Sequence, residues 1–244
     1  MKKSILITGA SRGVGRALAI KCAESGLFNK FVICCRENTY ALRETASKMR
    51  EVMNSSDATI TMNVNDIGVY ENVQAMYDQT GPVDILVNCA AISYVGLLTE
   101  MPPEDWDRII RTNFSSIYYT CHAYLPEMIR NKSGRIINIS SVWGEAGASC
   151  EVAYSATKGA MNAFTKALAK EVAPSNIQVN AVALGVIDTE MNDHLDAEEK
   201  AALEDEIPAG RMATPAEAAE AIFSVITMPP YLTGEIIKFD GGWI

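Results

Sequence analysis

The chain has 244 residues, of which 48% are hydrophobic, and this is enough to form one large core around a single sheet. Its 21 Lys and Arg against 30 Asp and Glu give a formal net charge of −9, which argues against binding to nucleic acid or to an anionic membrane surface. The six cysteines form no CxxC pair and the only histidines are His122 and His194, so the sequence predicts neither a disulfide framework nor a metal site.

The hydropathy pattern predicts neither a membrane span nor a signal peptide. No segment reaches the ~18 apolar residues of a spanning helix. The first residues are basic and then apolar, but the apolar run stops at Thr8-Gly9, short of the ~7–15 residues of a signal-peptide core. We therefore expect a cytoplasmic protein with reduced thiols.

Seven short apolar runs alternate with longer stretches of helical periodicity. The runs lie at 4–8, 30–35, 59–62, 83–87, 135–139, 177–182 and 235–239. Because they are almost continuously apolar, they are typical of parallel strands that helices cover on both faces. The sequence predicts one α/β domain over 1–244, a Rossmann-type doubly wound parallel sheet of about seven strands with helices on both faces.

A glycine-rich turn follows the first predicted strand. It reads TGASRGVG at 8–15 and precedes a predicted helix at 16–25. Its glycines allow positive φ and let a helix N-terminus approach a pyrophosphate closely, whereas an ordinary turn is the alternative. The strand–turn–helix context predicts a dinucleotide phosphate site formed by Gly9, Ser11, Arg12, Gly13, Val14 and Gly15.

The second predicted strand ends at Arg36, about 20 residues beyond the turn, where dinucleotide folds usually carry an acid for the adenosine ribose. A guanidinium at this place could hold a 2′-phosphate by two parallel hydrogen bonds, and Arg12 could add a second positive charge. This pattern favours NADPH over NADH. The alternative is that Arg36 is a solvated charge at a strand end, beside Glu37.

Tyr154 and Lys158 lie four residues apart in a predicted helix and share one face. An ammonium beside a phenol favours the phenolate, so we expect Lys158 to lower the pKa of Tyr154 toward that of a working general acid. Ser141 follows the fifth predicted strand, at the edge where open α/β sheets bind ligands, and its hydroxyl could polarise the same carbonyl oxygen. The alternatives are an ordinary surface tyrosine and a serine with loop or cap chemistry.

These motifs, in this order, resemble the short-chain dehydrogenase/reductase family over essentially the whole chain. The resemblance is carried by 8–15, Asn88-Cys89-Ala90-Ala91, Asn113, Ser141, Tyr154-x-x-x-Lys158 and Asp240-Gly241-Gly242. It implies a catalytic set of Asn113, Ser141, Tyr154 and Lys158. In this set Asn113, on a long helix, would hold a water that links Lys158 to solvent.

The same resemblance implies further cofactor contacts. These would come from Asn63, Val64, Asn88, Ala90, Ile187 and Thr189 as well as from Tyr154 and Lys158. The chain departs from the family pattern at three places. NCAA at 88–91 lacks the second asparagine or the glycine that is usual in this motif. Asn63 stands where an aspartate is usual, and Leu184 stands where a proline usually precedes the glycine.

Within the family the chain is most similar to the bacterial 3-oxoacyl-(acyl carrier protein) reductases, through SSVWG at 140–144 and LTGE at 232–235. This implies NADPH-dependent reduction of a 3-oxoacyl thioester in fatty acid biosynthesis, with acyl carrier protein as a partner. An aromatic and acidic segment with Trp143, Glu145 and Glu151 keeps open a reductase of an aminopentanone group on a translation elongation factor. A non-catalytic NADP-binding regulator is the third alternative.

Two further predictions concern a flap over the substrate and contacts between subunits. Residues 187–214 are acidic and alanine-rich, and we predict a helical flap over the substrate. Ile117, Tyr118, Met161 and Phe164 place apolar groups on more than one face of the helices that carry Asn113 and Tyr154. This predicts association of these helices between subunits, and the resemblance implies a homotetramer; the alternative is that these residues belong to the core.

Overall fold

The computed structural model describes residues 2–53, 57–193 and 195–244, so His194 lies outside the described residues. Its strands are β1 (Lys3–Thr8), β2 (Phe28–Cys35), β3 (Thr59–Val64), β4 (Ile85–Asn88), β5 (Gly134–Ser141), β6 (Ile177–Leu184) and β7 (Ile236–Phe239). All strand pairs are parallel, in the order β3-β2-β1-β4-β5-β6-β7. The predicted doubly wound sheet is confirmed.

Within the described residues, one α-helix follows each of β1, β2 and β3, and two follow each of β4, β5 and β6. They are α1 (Gly13–Glu24), α2 (Thr39–Val52), α3 (Tyr70–Thr80), α4 (Pro103–Ile110), α5 (Ser116–Asn131), α6 (Trp143–Ala146), α7 (Val152–Val172), α8 (Ala197–Glu206) and α9 (Pro215–Thr227). A π-helical segment, Arg111–Ser115, joins α4 to α5. Such a π segment is frequent at functional sites because it rotates a side chain out of the regular helical pattern.

Successive residues of the central strands pack against opposite layers of helices. In β1, Ile5 and Ile7 belong to the core formed with α1, α2 and α9, whereas Leu6 belongs to the core formed with α3, α5 and α7. All three side chains are fully buried. This two-sided burial explains why the runs are continuously apolar rather than alternating.

The predicted strands are found within two residues of their expected ends. The main error is at the carboxyl ends, where β3, β5 and β6 run further than the apolar pattern indicated. Ser140 and Ser141, for example, look like loop residues but pair with Ala183 and Leu184 of β6. The start of α1 also differs, at Gly13 rather than at residue 16. Glycines have weak helix propensity, so the sequence pattern placed the start of this helix too late.

The turn after β1 lies directly against the loop after β4. The Thr8 hydroxyl oxygen accepts hydrogen bonds from the backbone N–H groups of Cys89 (2.9 Å) and Ala90 (3.1 Å). Gly9 has a φ of +71°, and a Cβ at this position would lie 2.7 Å from the Cα of Ala90. The chain reverses its winding between β1 and β4, so this contact lies at the switch point where open α/β sheets bind ligands.

Residues 187–214 leave the sheet and return to it. Ile187 and Ala213 form an isolated parallel bridge, which closes the excursion, and α8 lies within it. Asp196 and Glu199 form a capping box at the start of α8. A helical segment is therefore present where the sequence predicted one, and its role as a flap over substrate stays a prediction.

The proposed subunit-contact residues separate into two groups. Ile117 and Met161 are 2% and 1% exposed and pack in the core with α3, so for these two the expectation of an intersubunit contact is wrong. Tyr118 is half exposed, and Phe164 is partly buried against the Phe114 ring. The homotetramer stays a prediction that rests on the second group.

None of the helices in the described ranges combines the length and the apolar character that crossing a lipid bilayer would require.

We expect Gly9→Ala to destabilise the protein more than Gly26→Ala does. Both glycines have positive φ (+71° and +69°), so both substitutions carry the strain of the left-handed region, ~1 kcal/mol. Only Gly9 has the Ala90 backbone within 3 Å of the added Cβ, whereas Gly26 has nothing within 4 Å. Overpacking should add roughly 1–3 kcal/mol for Gly9→Ala, measured as the free energy of unfolding in urea. Equal losses in the two variants would show that the contact between the turn and the β4 loop is not tight.

Candidate active site

One cavity of about 780 Å³ runs along the carboxyl ends of the strands, and it is lined by residues that follow each of the seven strands. The predicted site residues that line it are Gly9, Ser11, Arg12, Gly13, Val14, Gly15, Arg36, Ala90, Ser141, Tyr154, Lys158, Ile187 and Thr189. The fold therefore brings the glycine turn and the tyrosine–lysine pair into the same space.

The turn after β1 is shaped to admit a bulky anion. The first turn of α1 has neither a side-chain cap nor an acidic residue, so its free N–H groups are open to a negatively charged ligand. A Cβ on Gly15 would lie 2.3 Å from the carbonyl oxygen of Gly9, which makes glycine obligatory there. A pyrophosphate fits this cradle of backbone donors, and the Glu190 carboxylate lies at its edge, with Oε2 3.8 Å from the position of a Cβ on Gly13.

Arg16 holds the turn in shape, and sequence reasoning missed this residue. Its Nη2 donates to the carbonyl oxygen of Ser11 at 2.6 Å, and its Nε donates to the same oxygen at 3.0 Å. The hydroxyl of Thr45, from α2, donates to the carbonyl oxygen of Ala10 at 3.0 Å. The turn is therefore fixed by the layer of helices beneath it before any ligand binds.

Arg36 lies at the end of β2 with its side chain 44% exposed, and its Nη2 lies 2.5 Å from Glu37 Oε1. Both side chains line the cavity, as does Arg12. The hydrogen bond to Glu37 raises the pKa of Arg36 further, so the guanidinium is permanently charged. A 2′-phosphate at this place would meet two arginines and would compete with one carboxylate.

The polar groups predicted for catalysis converge at the other end of the cavity. Tyr154 and Lys158 lie one turn apart on α7, with Lys158 Nζ 5.3 Å from the centroid of the Tyr154 ring. Lys158 Nζ donates to the carbonyl oxygen of Ile139 at 2.7 Å. Ser141 forms a side-chain hydrogen bond with Tyr154, and its Oγ accepts from the backbone N–H of Trp143 at 3.2 Å.

Burial dominates the ionisation of this pair. It raises the pKa of Tyr154 well above its ordinary value, and the nearby Glu151 carboxylate raises it further, whereas the Ser141 hydrogen bond opposes the shift. Burial also lowers the pKa of Lys158 to about 8. The expected lowering of the Tyr154 pKa is therefore wrong for this site, because desolvation by burial is the dominant influence on the phenol.

Asn63 and Val64 do not line the cavity, although they were predicted to contact the cofactor. Asn63 is 5% exposed; its Nδ2 donates to Gln79 and its Oδ1 accepts from Asn65. The cavity is lined instead by Asn65 and Asp66, which the sequence analysis did not select. Their position just past the true end of β3 was the signal, and the predicted strand stopped too early to show it.

Asn88 and Asn113 also lie outside the cavity lining. Asn88 donates to Asn138 Oδ1 at 2.9 Å and accepts from the Thr120 hydroxyl at 2.8 Å. Asn113, in the π segment, accepts from the N–H of Ile92 at 2.9 Å and donates to its carbonyl oxygen at 2.8 Å. Both amides fix the structure around the β4 loop, and the water link through Asn113 stays a prediction.

Of the aromatic and acidic residues in the segment after β5, Trp143 and Glu151 line the cavity and Glu145 does not. Glu145 forms an ion pair with Lys238, with 3.1 Å between Oε2 and Nζ. Trp243, which follows β7, also lines the cavity and was not predicted to do so. Nothing in its local sequence marks it, because only the pairing of β7 with β6 brings it near β5.

A family model described as short chain dehydrogenase matches residues 3–200. Among curated proteins, an uncharacterized oxidoreductase of Bacillus subtilis, YmfI, is 38% identical over 244 residues, covering 100% of this chain and 99% of that protein. The 3-oxoacyl-[acyl-carrier-protein] reductase FabG of Vibrio harveyi is 37% identical over 242 residues, covering 98% and 96%.

Solved structures agree with these sequence matches. A crystal structure of 3-oxoacyl-[acyl-carrier protein] reductase from Brucella melitensis superposes with a TM-score of 0.90 at 31% identity, covering 99% of this chain and 91% of that one. A second Brucella melitensis structure, described as having bound NAD, gives a TM-score of 0.87 at 30% identity over the same shares of the two chains. The fold, the cavity and the matches to sequence and structure together show that this chain is an oxidoreductase of the short-chain dehydrogenase family.

Proposed function

We propose that this protein reduces a ketone to a secondary alcohol with NADPH, and that the ketone is a 3-oxoacyl thioester such as 3-oxoacyl-acyl carrier protein. One observation carries the reaction class: the glycine turn and the group Ser141, Tyr154 and Lys158 line one cavity. The substrate assignment is supported by relatives named 3-oxoacyl-[acyl-carrier-protein] reductase that match nearly the full chain.

In this proposal the open N-terminus of α1 and its glycines hold the pyrophosphate, while Ile187 and Thr189 lie on the nicotinamide side. When bound, the nicotinamide supplies the hydride, and the protein supplies binding, orientation and electrostatics. Arg36 and Arg12 support a preference for the 2′-phosphate of NADPH. A Brucella melitensis relative is described as having bound NAD, so the affinities of this protein for NADPH and NADH must be measured side by side.

The polar residues at the other end have complementary tasks. Ser141 and Tyr154 donate hydrogen bonds to the carbonyl oxygen of the ketone, which stabilise the negative charge that develops on it. Because the pKa of Tyr154 is raised, its phenol stays protonated at neutral pH and can give its proton to the alkoxide. Lys158, one turn further along α7, is positioned to stabilise the phenolate that this transfer leaves.

A second candidate is supported by the acidic residues of the cavity. Glu190 of the lining lies beside Gly13 of the glycine turn, whereas Glu151 lines the cavity and its charge raises the pKa of Tyr154. A carboxylate there would attract a cationic substituent, as in an amino-ketone carried by a translation elongation factor, and would repel an anionic one. The third possibility, a regulator without turnover, is disfavoured by the convergence of Tyr154, Lys158 and Ser141.

Assembly and location complete the proposal. Exposed Tyr118 on α5 supports association of this helix with a second copy, consistent with a homotetramer. A cytoplasmic location is consistent with the reduced thiols that we propose. All six cysteines are free, and no group of His, Cys, Asp or Glu in the described ranges is arranged to hold a metal.

Replacing Tyr154 with Phe should abolish most of the turnover and leave NADPH binding nearly unchanged. The phenol oxygen is the proton donor in this proposal, so we expect kcat to fall by roughly 100-fold to 10,000-fold. The measurement is the loss of NADPH absorbance with 3-oxoacyl N-acetylcysteamine thioesters, together with NADPH affinity by fluorescence.

The same assay with amino-ketones separates the candidates. A wild-type preference for amino-ketones that Glu151→Gln removes would replace the 3-oxoacyl assignment with the second candidate. NADPH binding without consumption for every ketone would favour the regulator. Full turnover by Tyr154→Phe would remove the proposed role of the phenol.

Replacing Arg36 with Ala should weaken NADPH binding by roughly 10- to 100-fold, the effect of losing hydrogen bonds between charged groups, and should change NADH binding by less than about threefold. Glu37→Gln should strengthen NADPH binding, because it removes the carboxylate that competes for the guanidinium. Arg43 on α2 is exposed and does not line the cavity, so Arg43→Ala is the matched control. Equal losses for both nucleotides would show that Arg36 does not read the 2′-phosphate.

The lowered pKa of Lys158 makes a prediction about stability. Between pH 8 and its ordinary pKa the unfolded lysine binds a proton that the folded one does not, so the free energy of unfolding should rise with pH through this window. From pH 7 to 9.5 the wild type should gain about 2 kcal/mol relative to Lys158→Met. The measurement is urea unfolding of both proteins at each pH. Parallel pH profiles would mean that Lys158 titrates near its ordinary value.

A further inference from the structure

Two tryptophans that are 100 residues apart in sequence form an aromatic pair in the cavity. The ring centroids of Trp143 and Trp243 lie 4.7 Å apart, with an angle of 61° between the ring planes. Both side chains are half buried and both line the cavity. The proton transfer proposed for Ser141, Tyr154 and Lys158 uses neither tryptophan. It therefore leaves the exposed surface of the two rings without a function.

Trp143 is fixed relative to the catalytic group. Its backbone N–H donates to the Ser141 hydroxyl oxygen, and α6 packs against α7 at Lys158. The approach is so close that a Cβ on Gly144 would lie 2.7 Å from the carbonyl carbon of Lys158. The backbone of Trp143 therefore has a set position beside Ser141, and its indole packs against Trp243.

Trp243 is fixed by the segment that follows β7. Asp240 accepts hydrogen bonds from the backbone N–H groups of Gly242 (3.0 Å) and Ile244 (3.1 Å), on either side of the tryptophan. Lys238 forms its ion pair with Glu145 of α6 and also donates to the carbonyl oxygen of Ile244 at 3.2 Å. This ties the segment to α6 and makes the two indoles one continuous wall.

The strand order places this wall away from the nucleotide phosphates. Trp143 follows β5 and Trp243 follows β7, whereas Arg12 and Arg36 follow β1 and β2 on the far side of the β1/β4 switch. Among the described residues, the only other cation that lines the cavity is Lys158, which is bonded to a backbone carbonyl. The excursion between β6 and β7 adds apolar side chains to the lining: Met191, Leu195 and Leu203.

We propose that Trp143 and Trp243 form the specificity-determining wall that binds the apolar chain of the ketone substrate. The proposal rests on the proposed function and deepens it, because it assigns the part of the site that selects among 3-oxoacyl groups. Indole rings offer large rigid apolar surfaces, and Leu195 and Leu203 are only partly buried, so all of them gain from covering an alkyl chain. A longer chain should therefore be preferred to a short one.

The test compares 3-oxooctanoyl and 3-oxobutanoyl N-acetylcysteamine thioesters in wild type, Trp243→Ala and Trp243→Leu. For Trp243→Ala we expect kcat/KM for the eight-carbon substrate to fall by about 10-fold or more, through KM, and that for the four-carbon substrate by less than about threefold. Trp243→Leu should restore part of the chain-length preference, and NADPH affinity should not change. Trp106 on α4 does not line the cavity, so Trp106→Ala is the matched control.

Equal losses for both chain lengths, or no loss, would overturn the proposal. If the thioesters are not turned over, the proposed function itself fails. A binding measurement then still tests the proposed wall. The chain has three tryptophans, so in Trp106→Phe the pair supplies all of the fluorescence that is excited selectively at the long-wavelength edge of tryptophan absorption. Octanoyl N-acetylcysteamine should change this fluorescence in the NADP-bound protein, and an unchanged signal at saturating thioester would refute the apolar wall independently of catalysis.

Discussion

The site depends on the contact between the turn after β1 and the loop after β4. The Thr8 hydroxyl oxygen bonds two backbone N–H groups of that loop, and Gly9 lies so close to Ala90 that a side chain would not fit. This contact closes the switch point of the sheet on one side and sets the distance between the phosphate cradle and the loop that leads to the catalytic group. A looser turn would separate the two halves of the cavity and leave neither in position for hydride transfer.

A buried polar network carries this positioning to the catalytic helix. Asn88 of β4 bonds Asn138 of β5, which donates to Thr165 of α7 at 2.8 Å, and Asn88 also accepts from Thr120 of α5. These groups are fully or almost fully buried, where an unpaired amide would cost about 1–3 kcal/mol, and every buried side-chain polar atom of the described residues has a partner. The network therefore fixes α7, and with it Tyr154 and Lys158, against the strands whose ends form the cavity.

Both arginines of the cavity lining lie at the same end of the cavity. Arg12 and Arg36 lie on the side of β1 and β2, where an anionic nucleotide would bind, and Glu37 and Asp66 line the same side, whereas Glu151 and the two indoles lie on the side of β5 to β7. These carboxylates and the net charge of −9 both oppose the approach of an anion. The nucleotide must therefore be held by local geometry, by the open N-terminus of α1 and two arginines, rather than by the general field of the protein.

The fold class, the seven strands and the glycine turn could be predicted from the sequence, because two-sided burial imposes an apolar pattern on each strand and a close backbone approach permits only glycine. The order of motifs along the chain also indicated Tyr154, Lys158 and Ser141. Only the tertiary structure decided which polar residues reach the cavity: Asn63, Asn88 and Asn113 are engaged with neighbours, and Asn65, Asp66 and Trp243 line it instead. It also reversed the expected pKa shift of Tyr154. The reason is the same in each case: hydrogen-bond partners, burial and contacts between distant segments arise when strands and helices pack together, and no local pattern of residues records them.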